Sequence, residues 1–431
     1  MTEKREVVFI GAGPAGLGPL VYANGAGLLQ DFLKRSIVVV ERSMTVGSGT
    51  FGDYLINTNS KADLFLECLK GEKAAHFPKA LRSDAFRTLS LQNNSPASMS
   101  TVAELLRSIG EDISDALVAS EMSSLMLKTN ATGVVAKSDG TFDVLTSSES
   151  GFSKVQTRKL VLATGGSPLR MPHLHKEVIS RCHKTGRGNL LMLHSGDLLS
   201  AGGYKLVAER LKQQAGSRIL VVGGGDSAFS AAWLLLQSED LALGEQSVIL
   251  AHRSPTKVTF ESTEEAINCG YSDFTPEDIC PDTGTVFRIG GLRFDAKELY
   301  LNILNGSEPR VLLRRLFLGD PEALSRDDLR GVEVVIFATG YFPNEITFSD
   351  ENARPIPLLG SFTGKFVDGK ARMLKANGEV LEGVYSIGLC SGYSPREGGY
   401  GGERSFTGLA NSVMLCQGGV GQTIFEQLQH G

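Results

Sequence analysis

Three observations predict an α/β protein of two parallel-sheet units, one inserted into the other, with a β-meander beside them. First, an apolar run, Val7-Val8-Phe9-Ile10, ends in a glycine-rich turn that opens into a helix-forming segment. Second, the same strand–turn–helix pattern returns at 218–228, and the interval from Gly11 to Glu41 equals that from Gly223 to Arg253, 30 residues. Third, two later strands each run into Ala-Thr-Gly, at 163–165 and 338–340. The 431 residues suffice for two or three domains at ~150 residues each. The boundaries read from these patterns are 1–185 for the first unit, 186–330 for the inserted one and 331–431 for the return segment.

Gly11-Ala12-Gly13-Pro14-Ala15-Gly16 is a G-x-G-x-x-G turn of the Rossmann-like, dinucleotide-binding type. Gly11 permits the tight turn, Gly13 removes the Cβ that would block a pyrophosphate, and Gly16 lets helix and strand pack closely. The helix start then offers free N–H groups and a positive dipole end to the anion. Ile37-Val38-Val39-Val40 is the second strand and ends in Glu41, whose carboxylate can accept ribose hydroxyls and repel a 2′-phosphate. Arg42 opens a flexible loop to Gly52 that can run along the ligand.

Asn57 to Leu64 is polar and leads into a helix at 65–69; Asn59 and Lys61 can reach a ligand, or Asn59 or Ser60 can serve as the helix cap. Ser98 to Leu106 reads as another capped amphipathic helix. Residues 115–162 read as short strands, 124–127, 133–136, 141–145 and 159–162, broken by turn residues. The last strand runs into Thr164 and Gly165, and Pro168 and Pro172 beyond suit a linker.

In the second copy Gly223-Gly224-Gly225-Asp226-Ser227-Ala228 follows the strand, and Val248 to Ala251 is the second strand. Here the strand ends in a base. Arg253 can pair with a 2′-phosphate, so the second site prefers NADPH and the first takes a nucleotide without that phosphate. His252 reads as a bystander. Helices are expected at 263–267 and 295–304. The strand 332–337 runs into Ala338-Thr339-Gly340-Tyr341, and the strand 383–387 ends at Gly388. A glycine-rich loop comes next, 391–404, in which Tyr393, Arg396 and Tyr400 are candidates for a substrate wall or lid. A closing helix is expected at 408–415.

A hydrophobic fraction of 42% is ordinary for a globular protein, and the formal charge of −5 gives no reason to expect a nucleic acid or an anionic membrane. The polar start Met1 to Arg5 has no signal-peptide core, and no run approaches the ~18 apolar residues of a membrane span. A cytoplasmic location is expected, and the sequence leaves homo-oligomerisation open. The six cysteines form no C-x-x-C and no zinc-ligand spacing, so no metal is expected.

The order G-x-G-x-x-G, A-T-G, G-G-G-x-S-A, A-T-G-Y and a C-terminal strand–helix resembles the two-dinucleotide-binding-domain flavoproteins across nearly the whole chain. That resemblance implies FAD in the first unit, held by Gly11, Gly13, Pro14, Ala15, Gly16, Glu41, Arg42, Thr164, Gly165 and Gly388. It implies NADPH in the inserted unit, held by Gly223, Gly225, Asp226, Ser227 and Arg253, and Thr339 and Gly340 of the return segment are further cofactor-binding candidates. The turn at 223–228 is similar to that of thioredoxin reductases, yet the redox C-x-x-C of that branch is missing. What remains resembles the class B monooxygenases of the ornithine/lysine N-hydroxylase type: Gly11 to Gly18, Phe337 to Tyr341, His194-Ser195-x-Asp197 and Gly408-Leu409-Ala410-Asn411 are like their motifs. Leu198 stands where that family's histidine element closes with an aromatic.

The resemblance implies that NADPH reduces FAD, O₂ adds to form a C4a-(hydro)peroxyflavin, and a small molecule is oxygenated, with an amine nitrogen as one target. It implies no catalytic triad or carboxylate pair, because the chemistry is the cofactor's. Two other readings stay open: a flavin oxidoreductase without oxygen insertion, and an FAD-binding protein without turnover.

Overall fold

The computed structural model describes residues 4–169, 171–183, 190–213, 216–316, 323–409 and 412–430. In chain order the first part of the chain supplies β1 (Arg5–Ile10), β2 (Ile37–Val40), β3 (Asn57–Lys61), β4 (Pro96–Ser98), β5 (Ser124–Met126), β6 (Asn130–Ala136), β7 (Phe142–Ser148) and β8 (Gly151–Leu162). A short β9 (Gly166–Pro168) leads out to β10 (Leu191–His194), β11 (Arg218–Val222), β12 (Val248–His252), β13 (Val311–Arg315) and β14 (Val332–Phe337). The chain returns through β15 (Tyr341–Pro343) to β16 (Phe348–Asp350), β17 (Arg372–Leu374) and β18 (Val380–Ser386).

Unbroken Val/Ile runs suit parallel strands covered on both faces, and β2, β12 and β14 are buried at every residue. In the first sheet β5, β2, β1, β8 and β18 are parallel neighbours in that order. The N-terminal half of β8 pairs antiparallel with β7, and β7 with β6, which is the meander. In the second sheet the order β10–β14–β11–β12–β13 is parallel throughout. In each sheet the strand before the glycine turn lies between two later strands. The connections reverse there, at the place where such folds bind ligands.

Four expectations need correction. The two units are joined by β9 and β15, which pair antiparallel, so the crossings lie at 166–168 and 341–343 and not at 185 and 330. Helix Pro172–His183 accordingly packs on the second sheet, with Val178 and Cys182 against Leu220 and Val335. Asn57 to Lys61 is a strand because it pairs with β4, and the next segment, Ala62–Leu69, is a 3-10 helix without a side-chain cap. The closing helix is Gly419–Gln429, packed on helix Gly18–Gly25 through Gly421 and Gly18, where a Cβ on Gly421 would stand 2.9 Å from Gly18 C. Of the expected range 408–415, Gly408 and Leu409 are not helical, Ala410 and Asn411 lie outside the described residues, and 413–415 fall in a short helix, Val413–Gln417.

Residues 115–119 end the long helix Met99–Ala119, capped by Ser98, whose Oγ accepts from the Thr101 N–H at 3.1 Å. The other expected helices form at Thr263–Asn268 and Phe294–Leu304.

Candidate active site

The first turn is tight where it meets the sheet and open where it faces outward. A Cβ on Gly11, at φ +96°, would lie 2.3 Å from Ala163 O, and one on Gly16 would lie 2.0 Å from Gly11 O. A Cβ on Gly13 would meet nothing closer than Gly49 Cα at 3.9 Å. Among the described residues no acceptor is assigned to the N–H groups of Gly13, Ala15 and Gly16. An open face lined by free donors, in the turn that leads into helix Gly18–Gly25, fits a pyrophosphate. Pro14 faces Gly49 of the loop after Glu41, and Gly388, at φ +79°, has its Cβ direction 2.6 Å from Ala15 Cβ, so the end of β18 closes the turn's other side.

The Glu41 carboxylate is buried at the turn, accepting from the Ala12 N–H at 2.6 Å and the Ser43 N–H at 2.8 Å. Each carboxylate oxygen can accept a second bond, so ribose hydroxyls can still be received. Arg42 points outward and is exposed.

The second turn repeats this geometry. A Cβ on Gly223 would lie 2.3 Å from Ala338 O, and one on Gly225 would meet nothing within 4 Å. Gly224, Gly225 and Asp226 have no assigned acceptor for their N–H groups among the described residues. They open helix Asp226–Leu236, with Ser227 half-buried in its first turn. Arg253 is exposed just past β12. Beside it, strand register places Arg315 next to His252, with Arg315 Nη1 3.3 Å from His252 Nδ1. His252 itself is buried, with Nδ1 2.8 Å from Ser254 O. Arg315 went unnoticed in the sequence, although the pair Arg314-Arg315 closing an apolar strand is a visible signal. Arg314 is engaged by Asp328 at 3.0 Å.

Both A-T-G threonines work at the crossing between the units. Thr164 Oγ1 donates to Asn344 O at 2.6 Å, and the Asn344 N–H donates to Gly165 O at 3.0 Å. Thr339 Oγ1 donates to Leu169 O at 3.2 Å, and the Leu169 N–H donates to Gly340 O at 2.9 Å. Gly165 and Gly340 have φ of +74° and +94°, left-handed values that favour glycine. The motif therefore seats the first glycine of each nucleotide turn through its alanine and ties the linkers through its threonine. His194-Ser195-x-Asp197 is likewise local: Asp197 Oδ2 accepts from the His194 N–H at 3.1 Å and caps a short helix.

Asn59 and Lys61 lie between the units. Asn59 Nδ2 reaches Asp226 Oδ2 at 3.5 Å, and Lys61 Nζ is 4.0 Å from Glu261 Oε1. The other Asp226 oxygen is enclosed and has no hydrogen-bond partner. Burial pushes its carboxyl above the usual carboxylate range, against the opposing effects of Asn59 and the Arg293 charge.

The loop 391–404 is no free lid. Tyr393 belongs to the first core at 4% exposure, and its hydroxyl donates to Gly369 O at 3.3 Å, which takes it out of a substrate wall. Tyr400 is half-buried against Tyr393 and Gly419. Arg396 is exposed and donates to Arg404 O at 2.7 Å. Sequence reasoning missed Glu403, which is fully buried and accepts from the Ile289 and Gly290 N–H groups at 2.9 and 2.8 Å, pinning the loop to the second unit.

A sequence profile described as pyridine nucleotide-disulphide oxidoreductase matches residues 5–269. The chain belongs to this family. It is a flavoprotein oxidoreductase that uses FAD and a pyridine nucleotide. It is 27% identical over 434 residues to a CMP-5′-(3-aminopropyl)phosphonate hydroxylase of Streptomyces rubellomurinus, covering 98% of this chain and 96% of the relative. Its fold is similar to that of an ornithine N-hydroxylase from Kutzneria sp. 744, at 16% identity, 99% of both chains and a TM-score of 0.55. An L-lysine 6-monooxygenase from Pseudomonas syringae gives 16% identity, 99% of both chains and 0.56. A bacillithiol disulfide reductase from Bacillus cereus gives 15% identity, 99% of this chain, 100% of that one and 0.51. At such identities these three likenesses concern the fold. No helix among the described residues is long and apolar enough to cross a membrane.

Proposed function

We propose that this family member is a monooxygenase that takes hydride from NADPH and oxygenates a small molecule at an amine nitrogen. Bound FAD would supply the hydride acceptor and the place where O₂ is activated. The chain's part is to hold and separate charges. The N–H groups of the first turn receive the FAD pyrophosphate and Glu41 its ribose; those of the second turn receive the NADPH pyrophosphate. Arg253, with Arg315 beside it, meets the 2′-phosphate, which excludes neither nucleotide but favours the phosphorylated one.

The observation that carries the oxygen reading is the state of the thiols, since disulfide reduction needs a pair of reactive ones. None of the six cysteines is in a disulfide. Burial pushes Cys68 up to about 12 and Cys182 up to about 11, and burial together with the neighbouring Cys390 pushes Cys416 up to about 12. Burial would also raise Cys280, but hydrogen bonds from Thr283 and Arg288 bring it down to about 7, and no cysteine is among the groups acting on it. This state of the thiols supports oxygen over a disulfide as the acceptor of the flavin's electrons. The amine reading is supported by the relative whose name specifies an aminopropyl phosphonate carried on a nucleotide, and by the fold shared with ornithine and lysine oxygenases.

The test is rapid mixing of the yellow protein, first with NADPH without air and then with O₂, across a panel of amines that includes amino acids and nucleotide-linked aminoalkylphosphonates. Amine-dependent formation of an N-hydroxylated product coupled to NADPH consumption is expected. Fast reoxidation to hydrogen peroxide whatever the amine would leave a flavin oxidoreductase instead. Failure of NADPH to reduce the flavin would leave only a binding protein.

A further inference from the structure

Although its pairing with β4 is irregular between Asn57 and Lys61, β3 turns Asn57, Asn59 and Lys61 toward the second unit. Each meets an acid of the second unit. Asn57 Nδ2 donates to Asp295 Oδ2 at 2.9 Å, Asn59 Nδ2 reaches Asp226 Oδ2 at 3.5 Å, and Lys61 Nζ stands 4.0 Å from Glu261 Oε1. Just upstream the Leu55 N–H donates to Leu199 O at 2.8 Å. The contacts lengthen steadily from residue 55 to residue 61.

Glu261 is an exposed surface acid, but the other two partners hold structural positions. Asp226 opens the helix of the second nucleotide turn, and Asp295 lies in the first turn of helix Phe294–Leu304. Among the described residues the chain crosses between the units at β9 and β15, and away from the crossings Glu403 ties the loop 391–404 to the Ile289 and Gly290 N–H groups. Two units joined by such linkers keep a free mutual angle unless side contacts fix it. Hydride transfer tolerates little freedom, because the reacting atoms must come within about 3–3.5 Å.

We propose that this face of β3 is a clasp that holds the second unit against the first in the arrangement for hydride transfer, with Asn59 and Asp226 as its central positioning pair. The inference rests on the reading that FAD lies on the first turn and NADPH on the second. It gives Asn59 and Lys61 a role in flavin reduction, before any amine is needed, in place of contact with substrate.

The experiment is reduction of the flavin by NADPH, monitored by stopped flow without air and without amine. Asn59→Ala should slow it by about tenfold to a hundredfold, the range expected for misplacement near 1 Å, while the KM for the amine stays within twofold. Asp295→Ala, on the opposite unit, should slow it in the same direction, so an unstable Asn59 variant does not remove the test. Wild-type reduction rates in Asn59→Ala and Asp295→Ala, with a raised amine KM, would overturn the clasp and return β3 to the substrate. A wild-type protein reduced by NADPH without oxygenating any amine would sink the monooxygenase reading and leave the clasp testable by the same rates. No reduction of wild type would sink both.

Discussion

The two nucleotide turns share a frame and differ in what fills it. In both, an alanine carbonyl after a neighbouring strand, Ala163 O or Ala338 O, lies where the Cβ of the first glycine would be, at 2.3 Å. In both, the middle glycine is open. The third position differs: Gly16 is jammed against Gly11 O at 2.0 Å, whereas its counterpart is Ala228, fully buried and accommodated. The first helix begins only at Gly18, after a turn from Gly13 to Leu17, while the second begins at Asp226, directly after Gly225. The lesson is that the first glycine and its alanine set the path of each turn. Crowding at the third position reflects how closely each helix is drawn to its strand.

Exchanging the third residue breaks this comparison most sharply. Gly16→Ala should cost about 3 kcal/mol or more, since backbone that cannot move away is overpacked, and the protein should be recovered without flavin or not at all. Ala228→Gly should cost about 1 kcal/mol, the usual helix penalty, and keep NADPH-driven flavin reduction. Flavin content and melting temperature read both. Equal tolerance at the two positions would mean that the first turn is looser than its geometry.

The strand ends distinguish the turns next. Glu41 is held inward by two backbone N–H groups, while Arg253 is exposed and Arg315 half-buried beside it. Arg253→Ala should raise the KM for NADPH about tenfold, the order expected for one charge-assisted bond of ~1.4 kcal/mol, and leave NADH unchanged. Arg315→Ala should act in the same direction and less. A variant that loses NADH and NADPH alike would place these arginines outside the 2′-phosphate site.

Much of this was legible because it is local. A buried Val/Ile strand, a glycine turn and a strand end are contiguous, so Gly11 to Gly16, Glu41 and Arg253 can be read from spacing. What was not legible depends on pairing at a distance. Asn57 to Lys61 looks like a helix lead-in until β4, some 40 residues later, makes it a strand. Tyr393 looks like a loop aromatic until the core closes over it, and Glu403 looks like a surface acid until the loop at 289–290 supplies its donors. The crossing at 341–343 was misplaced because β14 reads equally well in either sheet; only its neighbours, β10 and β11, decide.

The smallest expected effect separates the two turns by pH. The first turn's acid has backbone donors on both oxygens, whereas Asp226 at the second has one oxygen without a partner and a carboxyl raised above its ordinary range by burial. A carboxyl whose folded pKa exceeds its unfolded value favours folding most when protonated. Its contribution is present below the ordinary value near ~3.9 and is lost as pH rises through the folded pKa. Asp226→Asn removes that loss. The variant should therefore melt slightly above wild type at neutral pH, and the gap should close as pH falls below about 4. A gap that is constant with pH would assign the gain to packing, and one that widens on acidification would mean that the Arg293 charge outweighs burial at this site.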